Sequence, residues 1–214
     1  MKTLSVPKIQ LSGDFEPELL RATLERNGAH AKVDVAPWDA FPYKPEVTVD
    51  VAATDDFLFV NFNVVGRGLK AEFSSTNEPV WQDSCVEFFA ADPQGEGYRN
   101  FEINCIGTLL SAYQEGKGVN VREIAEDEAS KVIRHTSLPG TPFAEKDGIH
   151  SWCVTVGIPW SLLGCNEIPD SLKVNFYKCA DGSKWPHYLC WSPIDTPEPD
   201  FHRPEFFGLL SFEK

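Results

Sequence analysis

Basic residues are scarce in this chain and nowhere gathered. Lys and Arg number 19 against 32 Asp and Glu, a net charge of −13, and no cluster of cations offsets the acids. A nucleic-acid groove needs Lys and Arg to displace counterions from phosphates, and an anionic membrane surface attracts the same residues, so neither partner is expected. Long apolar runs are missing too: nothing approaches the ~20 residues of a membrane-spanning helix, and Met1-Lys2-Thr3-Leu4-Ser5-Val6-Pro7 has no apolar signal core. As it stands the chain is expected in the cytoplasm, and in the periplasm or outside the cell if a leader has been removed. Cys-x-x-Cys spacing is absent from the six cysteines (85, 105, 153, 165, 179 and 190), several of which sit in apolar, strand-like contexts. They read as buried free thiols rather than a disulfide framework. The five histidines show neither His-x-His nor His-Glu-x-x-His spacing, so a transition-metal site is weakly supported. No nucleophile elbow, P-loop or dinucleotide fingerprint occurs. No Gly/Ser linker, charge block, low-complexity tract or internal repeat divides the chain, which is expected to form one domain over residues 1–214.

What the chain does have is apolar and aromatic residues, 42% and 12% of the total, enough for a packed core. Their spacing is mostly that of strands. Residues 47–51 alternate apolar and polar, Thr54-Asp55-Asp56 supplies a turn, and 57–64 reads as a buried strand folded back on the first. Further strands are predicted at 85–90, 101–113, 131–135, 150–158, 173–179, 188–191 and 207–212. Helical signals are few: Pro17 to Asn27 closed by Gly28, one turn between Pro159 and Gly164, and a possible turn within 123–130. Many turn-marked strands with Pro-rich connections predict an all-β fold, a single β-sandwich of two mainly antiparallel sheets with a few short helices.

One stretch combines residues suited to a sugar. Trp81-Gln82-Asp83-Ser84 leads into the strand Cys85-Val86-Glu87-Phe88-Phe89, and Tyr98-Arg99-Asn100-Phe101-Glu102-Ile103-Asn104 follows. A flat indole buries the C–H face of a pyranose at low entropic cost, while carboxylate, amide and guanidinium groups make paired hydrogen bonds to adjacent hydroxyls. Strand alternation puts Asp83, Cys85, Glu87 and Phe89 on one face, and Asn100, Glu102 and Asn104 on one face of the next strand. Together they would form a polar floor beside Trp81, with Arg99 reaching across from the strand entry. Periodicity alone leaves open a merely solvated outer face.

The same residues carry a resemblance. Pro79-Val80-Trp81 through Phe89, and Tyr98 through Asn104 followed by Gly107, are similar to the signature of family 9 carbohydrate-binding modules, especially the stand-alone family-9-like group. So, in order, are Ile158-Pro159-Trp160-Ser161-Leu162-Leu163-Gly164, Val174-Asn175-Phe176-Tyr177-Lys178, Cys190-Trp191-Ser192-Pro193 and Asp200 through Gly208. The resemblance implies a β-sandwich related to DOMON domains that binds a mono- or oligosaccharide without catalysis. It implies two Trp rings clamping the terminal sugar, matched here by Trp81 and Trp191, with polar contacts from Glu87, Arg99 and Asn104. Asp83 would either touch the sugar or hold the loop. Trp38, Trp152 and Trp160, in apolar segments, are expected in the core, and Trp185 is the reserve clamp if Trp191 is buried.

Other readings stay open. A glycoside hydrolase needs two carboxylates, which Asp83, Glu87 and Glu102 could supply, and the scaffold could instead serve a structural or interaction role with a degenerate sugar site. Some DOMON relatives bind haem; the single Met, at position 1, excludes Met ligation, leaving only pairs among His135, His150, His187 and His202. No cofactor is expected, although the family resemblance allows structural calcium, for which no ligand loop is recognisable.

Overall fold

A computed structural model describes residues 1–11 and 16–213. In chain order its elements are β1 (Thr3–Val6), α1 (Pro17–Asn27), β2 (Ala29–Lys32), β3 (Glu46–Ala53), β4 (Phe57–Ala71), β5 (Cys85–Ala91), β6 (Tyr98–Asn104), β7 (Leu109–Gln114), β8 (Arg122–Glu123), α2 (Glu126–Ala129), β9 (Ile133–Thr136), β10 (Phe143–Pro159), β11 (Ser171–Cys179), β12 (Tyr188–Cys190) and β13 (Gly208–Phe212). Single 3-10 turns cover Val80–Gln82, Trp160–Leu163 and Pro204–Phe206. The strands form two sheets. One runs β1-β13-β11-β5-β6-β7-β8, with β12 also paired to β11, and the other runs β2-β3-β4-β10-β9. All named pairs are antiparallel except β1 with β13. The molecule is the all-β sandwich the alternation predicts.

Where the elements differ from the sequence reading, local geometry explains it. The strand predicted at 101–113 is a hairpin, because Gly107 takes φ 89° and its N–H donates to the Asn104 carbonyl at 2.9 Å, turning β6 back into β7. The strands of the central pair, β4 and β10, extend well past the predicted 57–64 and 150–158, and their pairing slips between Ile149 and Phe143. Strands β1, β2 and β8 are too short to announce themselves. Helix α1 has the predicted bounds; Leu20 and Leu24 pack on Ala52 and Phe59, whereas Leu19 is exposed.

The core lies between the sheets. Val86 and Phe88 from β5, Phe101 and Ile103 from β6, and Val174 and Phe176 from β11 meet Val49, Val51, Val60, Phe62, Val154 and Val156 of the other sheet. Each large side chain removed from water there stabilises the fold by roughly 1.5–3 kcal/mol. The alternate residues of the same three strands belong to a second apolar cluster. Cys85, Phe89, Tyr98, Tyr177 and Cys179 are roofed on the outer face by Trp38, Ile194, Phe201 and Phe207 from long connections. Both faces are therefore covered, and β5 and β6 are buried almost throughout. All six cysteines are buried and free, and Trp38, Trp152 and Trp160 are buried as expected.

Candidate functional site

The roof over the outer face of β5, β6 and β11 leaves an opening of about 320 Å³. Trp81 borders it, Glu87, Glu102 and Cys179 line it from the strands, and Asp181, Tyr188, Lys117 and residues 199–202 complete it. Trp81 is held out by its backbone. Its carbonyl accepts from Asp181 N at 3.1 Å, and the Gln82 carbonyl accepts from Gly182 N at 3.0 Å. That contact requires glycine at 182, since a Cβ there would lie 2.8 Å from the Gln82 oxygen. The indole itself remains 38% exposed, an unusual state for so large an apolar side chain.

Below this turn Asp83 and Asn104, both fully buried, form a buckle. Asp83 accepts from Glu72 N at 3.0 Å, Phe73 N at 3.1 Å and Asn104 Nδ2 at 3.0 Å, while Asn104 Oδ1 accepts from Thr108 N at 2.9 Å. Neither lines the opening. Of the two roles open to Asp83, the structure gives it the loop-holding one, and Asn104 shares it.

Glu87 and Glu102 are direct neighbours across the β5–β6 ladder. Cys179 Sγ donates to Glu87 Oε1 at 3.0 Å and Asn100 Nδ2 donates to Glu102 Oε1 at 3.0 Å, but Glu102 Oε2 is buried with no partner. Burial, followed by the neighbouring Cys179 and Glu102, pushes the Glu87 carboxyl well above its usual range. Burial likewise lifts Glu102 to about 8, and Asp181 to about 6. At neutral pH the Glu102 carboxyl is thus mostly protonated and able to donate as well as accept. His202, which burial lowers to about 4, is neutral. Tyr98 Oη at 2.9 Å and Gln114 Nε2 at 3.2 Å both point donors at its Nδ1, so the ring's proton sits on Nε2.

Two of the sequence candidates lie elsewhere. Trp191 is 3% exposed in the inter-sheet core, its ring 5.4 Å from that of Phe176 and packed so closely on Gly208 that a Cβ there would meet it at 2.3 Å. It is one residue out of phase: in β12, Tyr188 and Cys190 face the outer side, so Leu189 and Trp191 face the core. The aromatic lining of the opening is Trp81, Tyr188 and Phe201. The reserve, Trp185, is 41% exposed beside Tyr43 and Arg67 and does not line the opening. Arg99 shares the parity of Phe101 and Ile103, turns to the other side of the sheet and lines a separate pocket. The sequence reading placed Glu102 on the polar floor without naming it for binding. Asp181, Lys117 and His202 carry no local signal, because they stand on connections whose course is set by packing, and Tyr188 opens the three-residue strand β12.

Among the described residues, the grouping with metal-ligand spacing is Cys85, Glu87 and Cys179, whose ligand atoms lie within 4.8 Å of one another. Two thiols and one carboxyl, all buried, do not fit calcium, which takes a shell of oxygens. Of the four histidines considered for haem, only His202 lines the opening.

The family model for carbohydrate-binding family 9 matches residues 14–212. The chain belongs to carbohydrate-binding family 9. Among solved structures, this family 9 chain is similar to a candidate carbohydrate-binding protein from Bacteroides uniformis ATCC 8492, at 37% identity over 99% of each chain and a TM-score of 0.94. It also shares its fold with a family 9 module from Caldicellulosiruptor kristjanssonii solved with glucose (13% identity, 99% and 96% of the two chains, TM-score 0.61). The same holds for a family 9 module from that organism solved with cellotriose (12% identity, 99% and 94% coverage, TM-score 0.58). No curated protein matches the chain.

Proposed function

We propose that the opening beside Trp81 binds the end of a mono- or oligosaccharide without catalysis. The observation that carries this reading is the meeting of an exposed indole with a buried carboxyl, Glu102, whose Oε2 lacks a partner at the floor of the same cavity. The Trp81 face covers the apolar side of a pyranose, and Glu87, Glu102 and His202 Nε2 exchange hydrogen bonds with its hydroxyls. Tyr188 and residues 199–202 bound the rest of the ring. Trp81 and a tyrosine thus take the place of the Trp pair, and Asp83 and Asn104 act by positioning Trp81.

Hydrolysis is less well supported. It needs one acid and one ionised carboxylate flanking the scissile bond, whereas Glu87 and Glu102 stand side by side on one floor and burial raises both. Glucose and cellotriose, the ligands of the C. kristjanssonii modules, head the panel to be titrated by Trp fluorescence and calorimetry. A shallow site that exchanges against water should show affinities of about micromolar to millimolar, on the order of −8 to −4 kcal/mol. Trp81→Ala should abolish binding while changing stability little. A folded Trp81→Ala variant with unaltered affinity would overturn the reading.

A further inference from the structure

On the other side of the same sheet, Ala90, Arg99, Tyr113 and Arg122 stand in register across β5, β6, β7 and β8. They line a cavity of about 330 Å³, closed opposite by Ser161, Leu162, Leu163 and Gly164 and bordered by Asp92. Arg99 is 8% exposed, and its Nη1 is buried without any acceptor. Arg122 lies over the Tyr113 ring, its Cζ 5.5 Å from the centroid. Among the described residues neither guanidinium has a carboxylate within ion-pair distance. Asp92 Oδ1 instead accepts from Gln94 N at 2.8 Å. Glu128 and Asp92 act on Arg99 only from beyond ion-pair distance, so two neighbouring cations, one of them buried with a vacant donor, leave a place for an anion in direct contact.

We propose that this cavity is a second ligand site, independent of the sugar site, that takes an oxyanion: the carboxylate of an acidic sugar, or a phosphate or sulfate group. Arg99 Nη1 donates to one oxygen from inside the cavity and Arg122 donates to another from its mouth, the forked geometry that guanidinium pairs offer to such groups. The space exceeds that of a bare ion and reaches the range of small-molecule pockets, ~300–1,000 Å³.

The test is calorimetric titration of the intact chain with glucuronate, inorganic phosphate and sulfate, with glucose as the neutral control. At least one oxyanion should bind saturably, and Arg122→Gln, at an exposed position that spares the core, should weaken it by about tenfold or more. Trp81→Ala should leave that binding unchanged, which separates this site from the sugar site whether or not the latter reading holds. Preference for glucuronate would identify an acidic sugar, and preference for phosphate or sulfate a tetrahedral group. Absence of saturable binding by all three at tens of millimolar, loss of all oxyanion binding in Trp81→Ala, or oxyanion binding by the Trp81→Ala chain that a further Arg122→Gln change does not weaken would overturn the proposal.

Discussion

Glu102 combines complete burial, a single hydrogen bond and a vacant oxygen, and one contribution to the pH dependence of stability follows from it. Burial raises its carboxyl from an ordinary value of 4.5 to about 8, so the folded chain holds this proton more tightly than the unfolded chain. The stabilisation is fully present below about pH 4.5 and is lost as pH rises through about 8, with a slope of up to ~1.4 kcal/mol per pH unit. Glu87 shifts in the same direction. Glu102→Gln keeps the shape, removes the charge and should flatten stability between about pH 5 and pH 9, leaving the variant more stable than the parent at the alkaline end. Urea unfolding across that range checks this, and an unchanged slope would remove Glu102 as the cause. At this scale the sequence was partly legible. Alternation correctly put Glu87 and Glu102 on one face. It also assigned Phe101 and Ile103 to the other, where Arg99 belongs by the same count.

The element that matters most is the 72–84 connection with its 3-10 turn at Val80–Gln82. Val80, fully buried in the outer-face apolar cluster, anchors the start of the turn, and polar contacts to Asp83, Asn104 and the 180–182 backbone hold the rest. Asp83→Ala orphans the Glu72 and Phe73 N–H groups in a buried site and leaves the Asn104 amide only its bond to the Phe73 carbonyl, and should lower stability by roughly 2–4 kcal/mol. It should also weaken sugar binding although Asp83 lines no part of the opening, and a chemical-denaturation midpoint paired with a titration separates the two effects. Helix α1 was legible to the residue, since Pro at its start and Gly after its end are punctuation that acts locally. The β6–β7 hairpin was not, because strand-forming residues stand on both sides of a tight turn that a single glycine makes possible.

At the scale of the molecule, the sandwich presents two different surfaces on one sheet, the proposed sugar opening outside and an arginine-lined cavity inside. Trp191 belongs to the body between the sheets rather than to either site. Trp191→Ala should therefore destabilise by about 3–5 kcal/mol. Sugar affinity should stay close to that of the parent at temperatures where the variant remains folded, as calorimetry after a thermal melt would show. Fold class, most strands and α1 are readable from residue order, because period-two alternation and turn chemistry act over a few residues. Which faces are roofed, where connections 180–188 and 199–202 come to rest, and that Tyr188 rather than Trp191 borders the opening are settled by packing. Those positions depend on contacts between residues far apart in the chain, and a shift of one residue in a strand carries a side chain from the site to the core.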